Sequence, residues 1–308
     1  MKHLISLNDL TKDEILNIIT LAEKLKNDNE DRTIHHVLKG KTLGMIFSKS
    51  STRTRVSFEV GMYQLGGSAL FLSSNDIQLG RGESIYDTAN VLSQYLDGIM
   101  IRTFKQSDVE DLAKYGSIPI VNGLTDLEHP CQILADLQTV FQKKGKLEGL
   151  KMAYIGDGNN IAHSLLQGCS KVGMDIAVAA PAGYTCDEEI IEQARDNAAK
   201  SGSNIIITDD PVEAISNADA VYTDTWVSMG QEEEKAARLK IFAPYQINKE
   251  LWKHTNDDAI FLHCLPAYRG YEVTEDIIDG SMSAIFQEAG NRLHAQKAVM
   301  AMVMGNLV

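Results

Sequence analysis

The sequence predicts an α/β fold with two lobes, each a parallel sheet flanked by helices. Short apolar segments alternate with amphipathic segments along almost the whole chain, an order that is typical of parallel sheets with right-handed crossovers. The stretch 142–149 (QKKGKLEG) interrupts this alternation, which then restarts. The length of 308 residues also fits two domains of roughly 150 residues each. We therefore expect a first domain over 1–142, a second over 150–285, and a C-terminal helix over 286–308 that packs back on the first.

The first domain begins with a helix that Thr11 and Glu14 mark by the spacing of a capping box. Another helix follows Ser51, which fits an N-cap, and it carries Val56, Val60 and Tyr63 on one face before Gly66–Gly67 ends it. The predicted strands cover 42–48, 69–72, 98–102 and 118–121, and the later helices cover 85–96, 107–115 and 129–141.

The second domain continues the same alternation, without an internal repeat of fixed period. Its predicted strands cover 152–155, 176–180, 205–208, 218–224 and 260–263. Its predicted helices cover 161–172 and 186–199, and the final helix covers 289–304.

Composition narrows the class of partner. Acidic residues outnumber basic ones by 42 to 29, a formal charge of −13, whereas binding to nucleic-acid phosphates needs excess lysine and arginine. The four cysteines are far apart and form no CxxC pair, which is typical of free thiols in the cytoplasm. Acidic residues near the N-terminus do not fit a secretory or transit signal, and no apolar run approaches the ~20 residues of a membrane helix. We expect a cytoplasmic protein that binds neither nucleic acid nor membranes.

The residues that suggest chemistry follow predicted strands, where ligands bind in open α/β sheets. After the strand 42–48, residues 50–55 read SSTRTR. Hydroxyls, backbone N–H groups and arginines at a helix N-terminus form a site for a phosphate, because the helix dipole favours an anion there. An ordinary cap with solvated arginines is the alternative, and it leaves this density of donors unexplained.

Two further groups follow the neighbouring predicted strands. Arg102 ends the strand 98–102, and His129, Pro130 and Gln132 follow the strand 118–121. Proline in the first turn marks a helix start, so His129 and Gln132 belong to that start. His129 can donate a hydrogen bond to a substrate carbonyl, and a capping or core histidine is the alternative.

These three motifs together resemble the aspartate/ornithine carbamoyltransferase family. Two later segments resemble its ornithine branch, namely 224–230 (DTWVSMG) and 263–266 (HCLP), and two more match the family, namely 156–160 (GDGNN) and 291–293 (NRL). The resemblance extends from Ser51 to the final helix. It implies transfer of the carbamoyl group of carbamoyl phosphate to the side-chain amine of ornithine, in arginine metabolism, with no cofactor and no metal.

The resemblance implies that the first domain binds carbamoyl phosphate and the second binds ornithine. The implied carbamoyl-phosphate ligands are Ser51, Thr52, Arg53, Thr54, Gln78, Arg102, His129, Pro130, Cys131, Gln132 and Arg292. The implied ornithine ligands are Asn160, Asp224, Ser228, Met229, Cys264 and Leu265. Among these, Arg102, His129 and Cys264 are the implied catalytic residues. Gln78 resembles the residue that reaches a neighbouring subunit's site, which implies a homotrimer or a multiple of one.

Three other classes of protein share some of these features. An NAD-dependent enzyme is suggested by Gly156 and Gly158 after a strand, but Ile161 stands where the third glycine of GxGxxG belongs. A zinc or thiol site could use Cys264, His263, Cys131 and His129, but adjacent strand residues point to opposite faces and no further ligand spacing is visible. A non-catalytic binding protein would not need so many polarising residues.

Within the family, the acceptor amine also has alternatives. The aspartate branch needs a lysine in the loop after the second strand, where this chain has Gln78 and no lysine. A relative specific for a diamine would lack the SMG loop at 228–230, because a diamine has no α-carboxylate to hold. Asp224 with this loop suits a zwitterionic amino acid that has a cationic side chain.

Overall fold

The computed structural model describes residues 1–31, 33, 35–227 and 232–305. The chain forms two compact units, one made of Met1–Gln138 with Gly290–Val308 and the other of Thr139–Ala289. Each unit contains a parallel sheet flanked by helices, so the predicted fold class is confirmed. No helix in these described ranges combines the length and the apolar character needed to cross a membrane.

The first unit is built on a sheet whose strands lie in the order β2-β1-β3-β4. Its strands are β1 (Thr42–Phe47), β2 (Ser68–Ser73), β3 (Gly98–Arg102) and β4 (Ile120–Leu124), and its helices are α1 (Lys12–Glu30), α2 (Thr52–Gln64), α3 (Ile85–Leu92), α4 (Gln106–Tyr115) and most of α5 (Pro130–Lys144). One apolar cluster joins the sheet to α3 and α4 through Ile46, Ile101 and Leu112. From β1 the chain passes to β2 on one side, and from β2 it crosses to β3 on the other side of β1. The topological switch point therefore lies at the carboxyl ends of β1 and β3.

The second unit has its strands in the order β7-β6-β5-β8-β9. Its strands are β5 (Lys151–Ile155), β6 (Asp175–Ala179), β7 (Ile205–Thr208), β8 (Ala220–Tyr222) and β9 (Ile260–Leu262), and its helices are α6 (Asn160–Val172), α7 (Glu188–Ser201), α8 (Pro211–Ile215), α9 (Lys235–Phe242), α10 (Lys249–Trp252), α11 (Glu275–Ile278) and the start of α12 (Ile285–Met304). Its core cluster includes Ile155, Val221 and Phe261 from three adjacent strands. The switch point of this sheet lies at the carboxyl ends of β5 and β8.

Most of α12 belongs to the first unit, as predicted for the C-terminal helix. It packs closely on α2 at Gly61, where an added Cβ would lie only 2.8 Å from Met300 Cε. Lys297 of α12 donates from Nζ to Gln64 Oε1 at the end of α2, at 3.0 Å. The helix thereby contacts the same helix whose N-terminus carries the STRTR sequence.

The face of α2 that carries Val56 and Tyr63 is exposed in the chain, whereas Phe58 and Met62 are buried. The periodicity is that of a helix, but α2 has two apolar stripes. The stripe next to Gly61 packs inside the unit, because Gly61 has no side chain and α12 can approach closely there. The other stripe remains on the surface.

The predicted strand 118–121 begins later than expected, at Ile120. Pro119 has no N–H to donate to a ladder, so the strand begins after it. The N-terminal segment then covers this edge of the sheet, since Leu4 N donates to Ile120 O at 2.9 Å and Asn122 N donates to Leu4 O at 2.7 Å. The predicted junction 142–149 is also shorter than expected, because α5 continues to Lys144.

Candidate active site

The N-terminus of α2 lies directly beyond β1, as the sequence predicts. Ser51 caps the helix, with its Oγ accepting from Thr54 N at 3.2 Å, and no acidic residue occupies the first turn. A cavity of about 490 Å³ opens at this end of the strand. Its lining is rich in hydroxyls and cations and includes Ser48, Lys49, Ser51, Thr52 and Arg55. This arrangement suits an anion, because N–H groups, hydroxyls and guanidinium charge act together there.

Arg102 lies beside this helix start because β3 pairs with β1. Its partner in register is Phe47, the last residue of β1, and Ser48 N donates to Arg102 O at 2.8 Å. The side chain is buried, at 8% exposed. A buried guanidinium at the switch point brings positive charge to the carboxyl edge of the sheet.

His129 is a buried imidazole surrounded by cations. Burial, and then the charges of Arg292, Arg102 and Arg53, hold the pKa of His129 well below its usual range. The ring is therefore neutral at physiological pH. A neutral ring carries one N–H, so it can donate a hydrogen bond without bringing a further positive charge.

Gln132, Arg292 and Thr54 form a buried chain of hydrogen bonds. Arg292 Nη1 donates to Gln132 Oε1 at 2.5 Å, and its Nη2 donates to Thr54 Oγ1 at 3.3 Å. Gln132 Nε2 donates in turn to Asp136 Oδ1 at 2.7 Å. The structure thus brings residues from α2, α5 and α12 of the first unit together.

Pro130 and Cys131 form the first turn of α5. Pro130 is the first helical residue, which fits its missing N–H. The Cys131 thiol donates to Asn122 O at 3.3 Å, and burial raises its pKa to about 12. Its side chain is therefore a packed, neutral thiol, and any contact with a ligand would use its backbone.

Gln78 lies at the start of a short 3₁₀ helix, Gln78–Arg81, and its side chain is exposed. The loop that carries it connects β2 to α3. An exposed amide at this position is available to a partner outside the chain.

Asp224 is the centre of a second cluster, in the second unit. It follows β8, and its carboxylate accepts from Asn159 Nδ2 at 2.9 Å, from Thr225 N at 2.7 Å and from Cys264 Sγ at 3.1 Å. Asn160, the next residue in the sequence after Asn159, is the first residue of α6. Ser228 and Met229, which the sequence also suggests, lie outside the described residues.

The turn after β9 holds Leu265 in a left-handed conformation, with φ of +56°. Leu265 N donates to His263 Nδ1 at 2.9 Å, while His263 Nε2 lies 3.2 Å from Glu272 Oε1. A buried pair therefore supports the turn that presents Cys264 and Leu265.

The expectation that His263 and Cys264 point to opposite faces is wrong. Potential ligand atoms of Asp224, His263 and Cys264 lie within 4.8 Å of one another. The strand ends at Leu262, so strand alternation does not extend to these residues. Both ring nitrogens of His263 already face protein partners, so the three residues do not offer an open ligand set for a metal.

Gly158 of the GDGNN segment has a structural role. A Cβ on Gly158 would lie 2.3 Å from the backbone of Thr185 and Cys186, and Gly158 N donates to Tyr184 O at 2.8 Å. The loop before α7 thus occupies the space in which a dinucleotide-binding glycine meets a pyrophosphate. This packing argues against the NAD-dependent alternative.

Sequence reasoning missed three supporting residues. Asp136 is buried and lies four residues after Gln132. An acidic residue among the apolar residues of this helix is a signal that the sequence does offer. Lys49 forms an ion pair with Asp126 and lies 4.3 Å from the Phe104 ring centre. Asn159 contacts Asp224 across 65 residues of sequence, and no local pattern indicates that contact.

Both units match the two domains of one class of transferase. The carbamoyl-P binding domain of aspartate/ornithine carbamoyltransferase matches residues 2–142, and the Asp/Orn binding domain of the same family matches residues 148–303. The chain belongs to the aspartate/ornithine carbamoyltransferase family.

Individual relatives are similar over the full length. The chain is 62% identical to the ornithine carbamoyltransferase of Caldicellulosiruptor saccharolyticus, with 98% of both chains covered. It is 54% identical to the anabolic ornithine carbamoyltransferase of Pyrococcus furiosus, with 99% of this chain and 97% of the relative covered. The solved structure of the ornithine carbamoyltransferase from Pyrococcus furiosus has a TM-score of 0.97 at 53% identity and covers 100% of this chain and 98% of its own.

Proposed function

We propose that this enzyme transfers the carbamoyl group of carbamoyl phosphate to the side-chain amine of L-ornithine, giving L-citrulline and phosphate. The observation that carries the proposal is the neutral His129 among Arg53, Arg102 and Arg292, beside the capped N-terminus of α2. This cluster suits an acyl phosphate, which combines an anionic group with a polarisable carbonyl. Full-length relatives named ornithine carbamoyltransferase support the same reaction, a step of arginine biosynthesis.

The first unit binds carbamoyl phosphate in this proposal. Ser51, Thr52, Arg53 and Thr54 hold the phosphate through side chains and the N–H groups of α2. Pro130 and Cys131 contribute backbone to the site, Gln132 holds the carbamoyl amide, and Arg292 fixes Gln132 while adding charge.

Arg102 and His129 act on the carbonyl oxygen. Negative charge develops on this oxygen as the amine attacks, so donors already in place lower the barrier. Arg102 also bridges to the phosphate, which leaves as the C–N bond forms. A neutral His129 donates its single N–H to the same oxygen.

The second unit binds ornithine. Asp224 accepts from the α-ammonium, while Asn160, Ser228 and Met229 hold the remaining polar atoms of the α-amino acid group. Cys264 and the Leu265 carbonyl border the place where the side-chain amine meets the carbamoyl carbon. The Cys264 thiol donates to Asp224, which supports a positioning task rather than nucleophilic attack.

The chemical step needs a neutral amine. An alkyl ammonium has a pKa of about 10.4 in water, and desolvation beside cations lowers it. The amine nitrogen then forms a bond to the carbamoyl carbon, and the bond from that carbon to the phosphate oxygen breaks. The amine proton passes to an oxygen of the leaving phosphate. No cofactor or metal enters these steps.

The active assembly is a homotrimer, or a multiple of one, with Gln78 reaching the site of a neighbouring subunit. The exposed Gln78 supports this arrangement, as do the exposed Val56 and Tyr63 of α2 and Phe71 of β2. The enzyme acts in the cytoplasm. None of its four cysteines forms a disulfide bond, which suits a reducing compartment.

The test is to incubate the protein with carbamoyl phosphate and, separately, with ornithine, putrescine, lysine and aspartate. We expect citrulline and phosphate in equal amounts, with ornithine strongly preferred. Arg102→Met should abolish most turnover, whereas Arg195→Met, at an exposed pair with Glu192, should not. A different carbamoylated product, or none from the unaltered protein, would refute the proposal.

A further inference from the structure

The Asn159 side chain makes two sets of hydrogen bonds at the start of α6. Its Oδ1 accepts from Ile161 N at 3.0 Å and from Ala162 N at 3.3 Å, which caps the helix. Its Nδ2 donates to Asp224 Oδ2 at 2.9 Å. One side chain therefore joins the loop after β5 to the carboxylate after β8, across the switch point of the sheet.

The cap decides which end of the amide faces Asp224. If the amide were turned over, its NH₂ group would meet two backbone N–H donors, and its oxygen would meet a carboxylate. Both contacts would be repulsive, so the capped orientation is enforced. The amide nitrogen can only point at Asp224.

Asp224 is held from three directions by donors. Thr225 N and Cys264 Sγ share Oδ1, and Asn159 Nδ2 takes Oδ2. Donors on both oxygens restrict the rotation of the carboxylate. Among the three, Asn159 is the side-chain donor that is itself fixed by a helix.

We propose that Asn159 is a positioning residue that holds the Asp224 carboxylate in the orientation that selects a substrate ammonium. The inference rests on the proposed function and deepens it. Asn159 acts through its contact with Asp224, so its loss should weaken ornithine binding more than it alters the binding of carbamoyl phosphate.

Two substitutions separate the cap from the contact with Asp224. Serine caps a helix about as well as asparagine, so Asn159→Ser keeps an oxygen that can cap α6 and removes the amide nitrogen that contacts Asp224. Asn159→Asp also retains the cap but directs a second carboxylate at Asp224. We expect the KM for ornithine to rise about tenfold in N159S, and further in N159D, because each loses a hydrogen bond to a charged group.

Asn248 provides a matched control in the same unit. It caps α10 by accepting from Glu250 N and Leu251 N, each at 3.1 Å, and its cap is of the same kind as that of Asn159. We expect Asn248→Ser to leave the KM for ornithine unchanged and both serine variants to have similar melting temperatures.

The outcomes are distinguishable. If the unaltered protein makes citrulline and N159S has the same ornithine KM as N248S, the positioning role is refuted and the proposed function stands. An equal rise in the KM values of both substrates, or a fall in kcat alone, would also refute it. If the unaltered protein makes no citrulline, the proposed function itself fails.

Discussion

Arg292 and Gln132 lie 160 residues apart in sequence, and the guanidinium of the first donates to the amide oxygen of the second at 2.5 Å. Asp136 accepts from the amide nitrogen of Gln132 on its other side. The Gln132 amide is thus held between a cation and an anion, which prevents it from turning over. A single orientation is what an amide needs to recognise another amide.

Arg292→Lys tests this arrangement. Lysine keeps the charge but not the planar pair of donors, so it cannot bond Gln132 and Thr54 together. We expect kcat/KM for carbamoyl phosphate to fall about 10- to 100-fold, since hydrogen bonds to charged groups are lost. Steady-state kinetics measure the effect, with Arg195→Lys as a surface control. A change below about threefold would show that charge alone is needed.

The lowered pKa of His129 leads to a prediction about pH. The pKa of His129 lies well below its usual value of 6.5, so the imidazole stays neutral between pH 6.5 and 8. We expect kcat to show no inflection from His129 in that range, and His129→Ala to lower kcat about 10²- to 10³-fold throughout it. The pH–rate profiles of both proteins test this. An inflection near neutral pH that disappears in H129A or in Cys264→Ala would show that a protein group, rather than phosphate, takes the proton.

Local chemistry made much of the first unit predictable. Ser51 is a cap, Arg102 ends a buried strand, and Pro130 starts a helix, and each follows from its immediate neighbours in sequence. Because parallel strands end at one edge, their proximity could also be inferred. The buried and exposed stripes of α2 could not be told apart, because the choice depends on how α12 packs against Gly61.

Contacts between distant segments could not be predicted. The pairing of Leu4 with β4 and the contact of Asn159 with Asp224 depend on the complete fold. Strand alternation also fails to predict the directions of His263 and Cys264, because the strand ends before them and alternation holds only within a strand.

Gly158→Ala tests the structural explanation of the GDGNN segment. The new Cβ would meet the backbone of Thr185 and Cys186, which cannot move aside as a side chain can. We expect a loss of about 3 kcal/mol in the free energy of unfolding. Gly61→Ala is the control, because its Cβ would first meet the flexible end of Met300, and we expect it to cost about 1 kcal/mol or less. Urea unfolding measures both, and equal costs would contradict the explanation.

Arg238→Met tests a buried ion pair that supports the second unit. Arg238 pairs with Asp157, donates to Trp226 O and lies over the rings of Tyr184 and Phe242. Its removal leaves a buried carboxylate without this partner, which typically costs about 3–5 kcal/mol.

The pH dependence of that loss has a defined sign. Burial raises the pKa of Asp157, and Arg238 opposes the shift. Without Arg238 the pKa rises further, so the folded state holds a proton that the unfolded state releases as pH increases. We expect R238M to be more destabilised at pH 8 than at pH 5, in urea unfolding compared with Arg195→Met. A loss that is independent of pH would assign the effect to packing on the aromatic rings.

Lys297→Met tests the buried amine that joins α12 to α2. Burial lowers the pKa of Lys297 to about 8 from a usual 10.5, with Asp28 opposing the shift. Below pH 8 the folded state must hold a buried ammonium, whereas between pH 8 and 10.5 only the unfolded chain keeps the proton. The charged lysine therefore lowers stability at neutral pH, and this cost diminishes as pH rises.

Methionine removes the charge and keeps the length of the side chain. We expect the stability of K297M relative to the unaltered protein to fall by about 2 kcal/mol between pH 7 and pH 10, measured by urea unfolding. A relative stability that stays constant would mean that Lys297 is held as an ammonium by its bonds to Leu25 O and Gln64 Oε1, and that these contacts outweigh its burial.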